Sequence, residues 1–186
     1  MTREQLEHAI RATCEVSEDS EIWIFGSQAI LGEFPNAPEE LRTSIEVDVQ
    51  PKNRSDKVDA IDAVLGELSL FHQTHGFYVH GMPIEEAATL PAGWEHRATP
   101  IFDKISTNGK TGWCVEAHDL AVSKLVAFRE KDRDFVRLLL TERMINTHIL
   151  LERLGSLVID EQLRERLVQW VQNTANELRC QILIND

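Results

Sequence analysis

The chain has 186 residues, 42% hydrophobic, 27% charged and 6% aromatic, the composition of one ordinary soluble domain with a single expected core. Nineteen basic against 31 acidic side chains give a net charge of −12, which opposes the phosphate-neutralising contacts behind non-specific DNA or RNA binding. No run of 18 apolar residues occurs and the first ten residues carry charges where a leader peptide needs an apolar stretch, so no membrane span, no secretion and a cytoplasmic location are expected.

Thr2 and Gln5 have capping-box spacing, and Leu6, Ala9, Ile10, Thr13 and Cys14 repeat at helical period, which predicts a helix over 3–15. Residues 21–25 read as a short apolar strand, stopped by Gly26-Ser27, with Ser27 expected to cap a short helix from Gln28. Two prolines make 32–38 a loop. Ile45, Val47 and Val49 then alternate with Glu46, Asp48 and Gln50 as a second strand ending at Pro51. Val58, Ile61, Leu65 and Leu68 predict a helix over 56–70. Short strands follow at 77–80, 96–105 and 111–115, with Asn108-Gly109 as a hairpin signal. The remainder reads as helices at 118–129, 131–142, 145–153 and 160–180. This order predicts a single α+β domain over 1–186: a mixed sheet with flanking helices over about 1–116, and a helical C-terminal half packed on it.

Chemistry is expected at three places. Glu46 and Asp48 share one face of their strand, roughly 7 Å apart along it. Two carboxylates so placed suit Mg²⁺ or Mn²⁺, although a solvated polar strand face has the same pattern. Gly26-Ser27 lies where backbone N–H groups and a hydroxyl can meet a phosphate, and equally where any helix is capped. Lys124 is the only charge in Leu120–Phe128, and helical projection turns it inward, where an ammonium needs an anion or a route to solvent. The same projection turns Asp132 inward and leaves Asp134 solvated. The stretch 119–143 is net +1, leaving −13 elsewhere. His72, His75 and His80 invite a zinc reading, which is rejected because His75 reads as a helix end and no cysteine or carboxylate is spaced to complete a site. Cys14, Cys114 and Cys180, far apart, read as reduced and mostly packed thiols.

A strand ending in Gly26-Ser27 followed by a strand carrying Glu46-Val-Asp48 resembles the polymerase β-type nucleotidyltransferase superfamily. Asp119-Leu-Ala-Val-Ser-Lys124-Leu-Val-Ala-Phe-Arg129-Glu-Lys131-Asp132 is similar to the D-L-x-x-x-K-L-x-A-x-R-x-K-D signature of its small bacterial branch, related to abortive-infection and toxin–antitoxin toxins. Residues 26–35, 71–76 and 90–94 also resemble that branch, and the likeness spans about 22–140. It implies an NTP donor positioned by Gly26 and Ser27, a divalent metal (Mg²⁺ or Mn²⁺) on Glu46 and Asp48, a phosphate contact from Lys124, and service of the acceptor hydroxyl by Asp132. Asp48, Lys124 and Asp132 would then be catalytic. The implied acceptor is an RNA, a protein or a small hydroxyl compound, and the implied partner a cognate antitoxin or other protein. The chain departs from the pattern in having Glu46 for the commoner aspartate, a longer spacing from Ser27 to Glu46, and no evident third carboxylate, Asp103 being the nearest candidate and Glu116 a poorer one. A catalytically weak nucleotide-binding or protein-interaction module of the same fold is therefore a second reading.

Overall fold

Helix α1 (Arg3–Ser17) starts at the expected capping box: Thr2 Oγ1 accepts from the Gln5 amide at 3.3 Å, and Gln5 Oε1 accepts from the Thr2 amide at 2.8 Å. The computed structural model describes residues 1–185, with the side chains of residues 1–180. Leu6, Ala9, Ile10 and Cys14 form the fully buried stripe of α1. Strand β1 (Glu21–Phe25) leads into α2 (Ile30–Glu33), and β2 (Glu46–Pro51) into α3 (Val58–Leu65) and α4 (Leu70–His75). Then come β3 (Tyr78–Gly81), α5 (Ile84–Ala87), β4 (Thr99–Phe102) and β5 (Thr111–Cys114). The five strands form one mixed sheet in the order β3-β2-β1-β5-β4, so β3 and β4 are its edges. β1 runs antiparallel to β2 and parallel to β5, β3 parallel to β2, and β4 antiparallel to β5.

One face of the sheet carries Ile22, Ile24, Val47, Val49 and Val79, all fully buried, and α1 and α3 pack on it. Contact there is close: a Cβ at Gly112 would lie 2.6 Å from the Cδ1 atoms of Ile10 and Ile24. The other face carries the polar positions of β2.

The residues cluster into two compact units. Met1–Ala88 with Glu95–Glu116 hold α1 to α5 and the whole sheet. Thr89–Trp94 and the chain from Ala117 onward form the second, with α6 (Ala117–Ala127), α7 (Glu130–Thr141), α8 (Thr147–Gly155) and α9 (Glu161–Asn185). Within it α6 packs on α7 and α8, and α9 on α7 and α8, around Leu125, Val136, Leu139, Leu154 and Leu167. The α+β class and the helical C-terminal half are as expected from the sequence.

Several boundaries differ, each for a local reason. The helix predicted over 56–70 is two helices. Gly66 ends α3 by donating its amide to Asp62 O at 2.9 Å, Leu68 turns to φ +64°, and Ser69 Oγ restarts the chain by capping the His72 amide at 3.1 Å. Leu68, which the helical stripe places inward, is instead exposed. The strand predicted over 96–105 is confined to Thr99–Phe102, because Asp103 Oδ1 accepts the amides of Ile105 and Ser106, both at 2.7 Å, and turns the chain away. Asn108 and Gly109 have φ of 52° and 70° and lie in the connection between antiparallel β4 and β5, as the hairpin signal implied. β2 begins at Glu46 and runs through Pro51, leaving Ile45 half exposed. Cys14 and Cys114 are buried, and burial pushes both thiols up to about 12, whereas Cys180 is exposed. No helix among the described residues is long and apolar enough to cross a membrane.

The turn between α1 and β1 is held by Asp19. Its carboxylate accepts the Asn53 amide at 2.6 Å, Asn53 Nδ2 at 2.9 Å and the Glu21 amide at 3.1 Å, tying the start of β1 to the end of β2. Burial would raise its pKa, but the hydrogen bonds from Asn53, Glu21 and Ser20 together outweigh that and hold it below the usual aspartate value. Asp19→Ala is expected to cost about 1–3 kcal/mol at neutral pH by leaving these donors unmet. A depressed carboxyl contributes stability above its unfolded pKa and loses it as pH falls through the folded one, so the wild-type advantage in urea melts should shrink on acidification below about pH 4.

Candidate active site

Alternation along β2 sends Val47 and Val49 into the core and Glu46 and Asp48 to the opposite face, where both stay partly exposed. The antiparallel register sets Phe25, the last residue of β1, opposite Asp48, so the next residue, Gly26, falls beside the Asp48 carboxylate. The approach is so close that a Cβ at Gly26 would stand 2.0 Å from Asp48 Oδ2. Gly26 also has φ +67° and ψ −170°, a conformation that only glycine adopts readily. Ser27 is the first residue of a 3₁₀ turn, Ser27–Ala29, so the expectation that it caps a helix from Gln28 is corrected: Gly26 occupies the cap position, and its carbonyl accepts the Ala29 amide at 3.2 Å. The fully buried Gln28, which the sequence did not single out, donates from Nε2 to Ser44 O at 3.0 Å and pins this turn to the segment entering β2.

Parallel pairing of β2 with β3 sets His80 opposite Asp48 and Tyr78 opposite Glu46. His80 Nδ1 lies 3.0 Å from Glu46 Oε1 and 3.4 Å from Asp48 Oδ1. Among the described residues these three form the one group of potential metal ligands, with donor atoms within 4.8 Å of one another. The oxygen-rich donor set fits the divalent cation that the resemblance implies. Burial first, then the carboxylates of Glu46, Glu67, Asp48 and Asp62, push the Tyr78 phenol above its ordinary pKa, a mark of the negative potential on this edge of the sheet. The zinc reading of His72, His75 and His80 set aside from the sequence took no account of the carboxylates beside His80, which come from strand pairing and not from sequence spacing. His72 and His75 stay outside that group: the His72 ring lies 5.0 Å from that of Tyr78, and the His75 ring packs with those of His8 and Phe71. Asp103, the sequence candidate for a third carboxylate, is also outside it and shapes its own loop.

Lys124 and Asp132 belong to the second unit, and both point inward as projected. Asp132 is 1% exposed and the Lys124 side chain 14%, while Asp134 is exposed. Lys124 Nζ lies 3.5 Å from Asp132 Oδ1, so at least one anion meets the buried ammonium within this unit. Arg129 holds the same carboxylate in a fork, Nε to Oδ2 at 2.6 Å and Nη2 to Oδ1 at 3.3 Å. This geometry follows from the break between α6 and α7: Phe128 turns to φ +52°, and Arg129, in extended conformation, precedes the first turn of α7. Burial pulls the Asp132 pKa up, but the Arg129 hydrogen bond and the charges of Lys124 and Arg129 outweigh it and keep the carboxyl below its usual range. On the rest of α7, Arg133 lies over the Phe128 ring at 4.9 Å and Arg137 pairs with Glu177 at 3.0 Å. Asp119, the first residue of the signature, is fully buried, with Oδ1 3.5 Å from Arg153 Nε of α8.

A family model described as "Nucleotidyltransferase of unknown function (DUF6036)" matches residues 4–180. The chain belongs to this family. The match extends into both units and includes Gly26, Ser27, Glu46, Asp48, His80, Lys124, Arg129 and Asp132. No curated protein and no solved structure matches the chain. Membership makes it a nucleotidyltransferase by family, as the two short motifs and the helical signature had indicated.

Gly26→Ala separates the site's steric demand from ordinary glycine strain when set beside Gly76→Ala. Gly76 has φ +71° with open space around its Cβ position, so its substitution should cost about 1–2 kcal/mol of backbone strain. Gly26→Ala must in addition move Asp48, and denaturant melts should show a loss larger than that of Gly76→Ala.

Proposed function

We propose that this chain is a metal-dependent nucleotidyltransferase that moves a nucleotidyl group from an NTP to a hydroxyl of an RNA, a protein or a small molecule. The observation that carries this reading is the packing of the Asp48 carboxylate against the side-chain-free backbone of Gly26, with Glu46 beside it on the same strand face. That arrangement brings two metal-ligating carboxylates and the backbone of a tight turn to one spot, which a merely solvated strand face has no reason to do.

A divalent cation (Mg²⁺ or Mn²⁺) on Glu46 and Asp48 would supply positive charge to the reacting phosphates. Gly26 and Ser27 orient the triphosphate through backbone N–H groups and the serine hydroxyl. The acceptor oxygen bonds to the α-phosphorus while the bond from that phosphorus to the oxygen bridging to the β-phosphate breaks. Pyrophosphate leaves with the electron pair, and the acceptor hydroxyl gives up its proton to solvent water. Lys124 is assigned a phosphate by the helical signature, and Asp132, with Arg129, fixes the rotamer from which it acts. The expectation that Asp132 serves the acceptor hydroxyl draws less support from the geometry, because a carboxylate held ionised by two cations is a weak base. Asp132 is better read as a positioning residue. The signature likewise supports a toxin or phage-defence setting with a cognate partner protein.

Asp48→Asn is expected to abolish metal-dependent NTP binding while changing the melting temperature little; equal NTP affinity with and without metal in both proteins would defeat the reading. Lys124→Met should weaken NTP binding about tenfold or more, the scale of one charge-assisted contact. Incubation of the protein with each labelled NTP, Mg²⁺ or Mn²⁺ and a cell extract identifies the acceptor by what becomes labelled.

A further inference from the structure

We infer that His80 is the third protein ligand of the metal site and that its nitrogen makes the site prefer a first-row transition ion over Mg²⁺. The inference rests on the metal-binding role proposed for Glu46 and Asp48. Three side chains from two adjacent strands converge here: Glu46 and Asp48 from β2, and His80 from β3, paired directly with Asp48.

The spacing is that of ligands around one ion. In an octahedral shell with bonds near 2.1 Å, neighbouring ligand atoms sit about 3 Å apart. His80 Nδ1 meets both partners at such distances, 3.0 Å from Glu46 Oε1 and 3.4 Å from Asp48 Oδ1. Two carboxylates and one imidazole would then occupy one side of the shell, leaving the other side for water and phosphate oxygens. With the ring proton on Nε2, the Nδ1 lone pair can take a place in the shell. The side chains of all three residues are partly exposed, so the ion has a route in.

Donor chemistry sets the preference. Mg²⁺ takes hard oxygen ligands and gains little from an imidazole, whereas first-row transition ions accept nitrogen readily and bind mixed nitrogen and oxygen sites in the order Mn²⁺ below Co²⁺ below Ni²⁺. A histidine in place of a third carboxylate also leaves one fewer negative charge around the ion, which weakens the purely electrostatic attraction on which Mg²⁺ depends. The competing role for His80 is that of a protonated counter-ion to the two carboxylates. That role predicts the opposite sign, since a counter-ion competes with a metal and its removal favours metal binding.

Mn²⁺ binding to the full chain without nucleotide, followed by electron paramagnetic resonance and competed with Mg²⁺, tests the inference on the wild type, His80→Ala, His80→Asp and Asp48→Asn. We expect Mn²⁺ to outcompete Mg²⁺ in the wild type, and protein labelled with ¹⁵N-histidine to show nitrogen coupling to the bound Mn²⁺. His80→Ala should lose that coupling and weaken Mn²⁺ by about tenfold or more, with Mg²⁺ affinity changed by no more than about threefold. His80→Asp should shift the preference towards Mg²⁺. Thermal melts establish that the variants are folded, and the ¹⁵N coupling in the wild type needs no substitution. Binding that is lost in Asp48→Asn while the wild type shows no nitrogen coupling, or Mn²⁺ binding that tightens in His80→Ala, overturns the role of His80 alone. Binding that survives Asp48→Asn overturns the metal reading of Glu46 and Asp48, and a wild type that binds neither ion overturns both.

Discussion

The contact on which the candidate site depends is the one between the Asp48 carboxylate and the Gly26 backbone. It exists because β1 and β2 are antiparallel neighbours in a register that ends β1 beside Asp48, and because the residue there has no side chain. Within the sheet unit, the other elements of the site are placed relative to that contact. Gln28 anchors the turn after Gly26, Asp19 anchors the far end of the same strand pair, and β3 adds His80 on the other side of β2. Packing on the opposite face, where Ile10 lies against Gly112 and Ile24, keeps the central strands from sliding, since a slip of one residue would turn Glu46 and Asp48 into the core.

Electrostatics explain why these charges are tolerated. Glu46 and Asp48 are left partly in water, where mutual repulsion is moderate, and an imidazole stands between them. The buried Asp132 is handled differently, by two cations and a forked hydrogen bond, as a carboxylate removed from water must be. One unit therefore keeps its paired acids partly in water beside an imidazole, and the other holds a buried acid met by two cations.

The sequence carries the parts of this arrangement that depend on local period. Alternation in 45–50 is enough to place Glu46 and Asp48 on one face, and the 100° step of a helix is enough to turn Lys124 and Asp132 inward and Asp134 outward. The capping box of α1 and the αL pair Asn108-Gly109 are legible for the same reason, because their partners lie within a few residues. His80 was not legible as a ligand. Its partners reach it through a parallel strand pairing between distant segments, and neither the H-x-x-H spacing nor any local pattern encodes that pairing. The split of 56–70 into two helices was missed because the apolar spacing of Ile61, Leu65 and Leu68 continues across Gly66, while the backbone does not. Arg129 was visible in the signature, but its grip on Asp132 depends on the positive φ of Phe128, which no periodicity announces.

β3 is four residues long and lies at an edge of the sheet, so a single ladder, to β2, supports it from the side. Helix α3 packs most closely on it, with lesser contact from α1 and α4, and comes so near that Gly81 faces the Val58 carbonyl where a Cβ would lie 2.5 Å away. An edge strand of this kind opens by local fluctuation at a lower free energy than the strands beside it. Glu46 and Asp48 sit on an interior strand and His80 does not, so the three ligand candidates differ in how often thermal motion withdraws them. Amide hydrogen exchange should grade them accordingly, with Val79 and His80 exchanging faster than Val47 and Val49, and an ion bridging the two strands would slow the faster pair most.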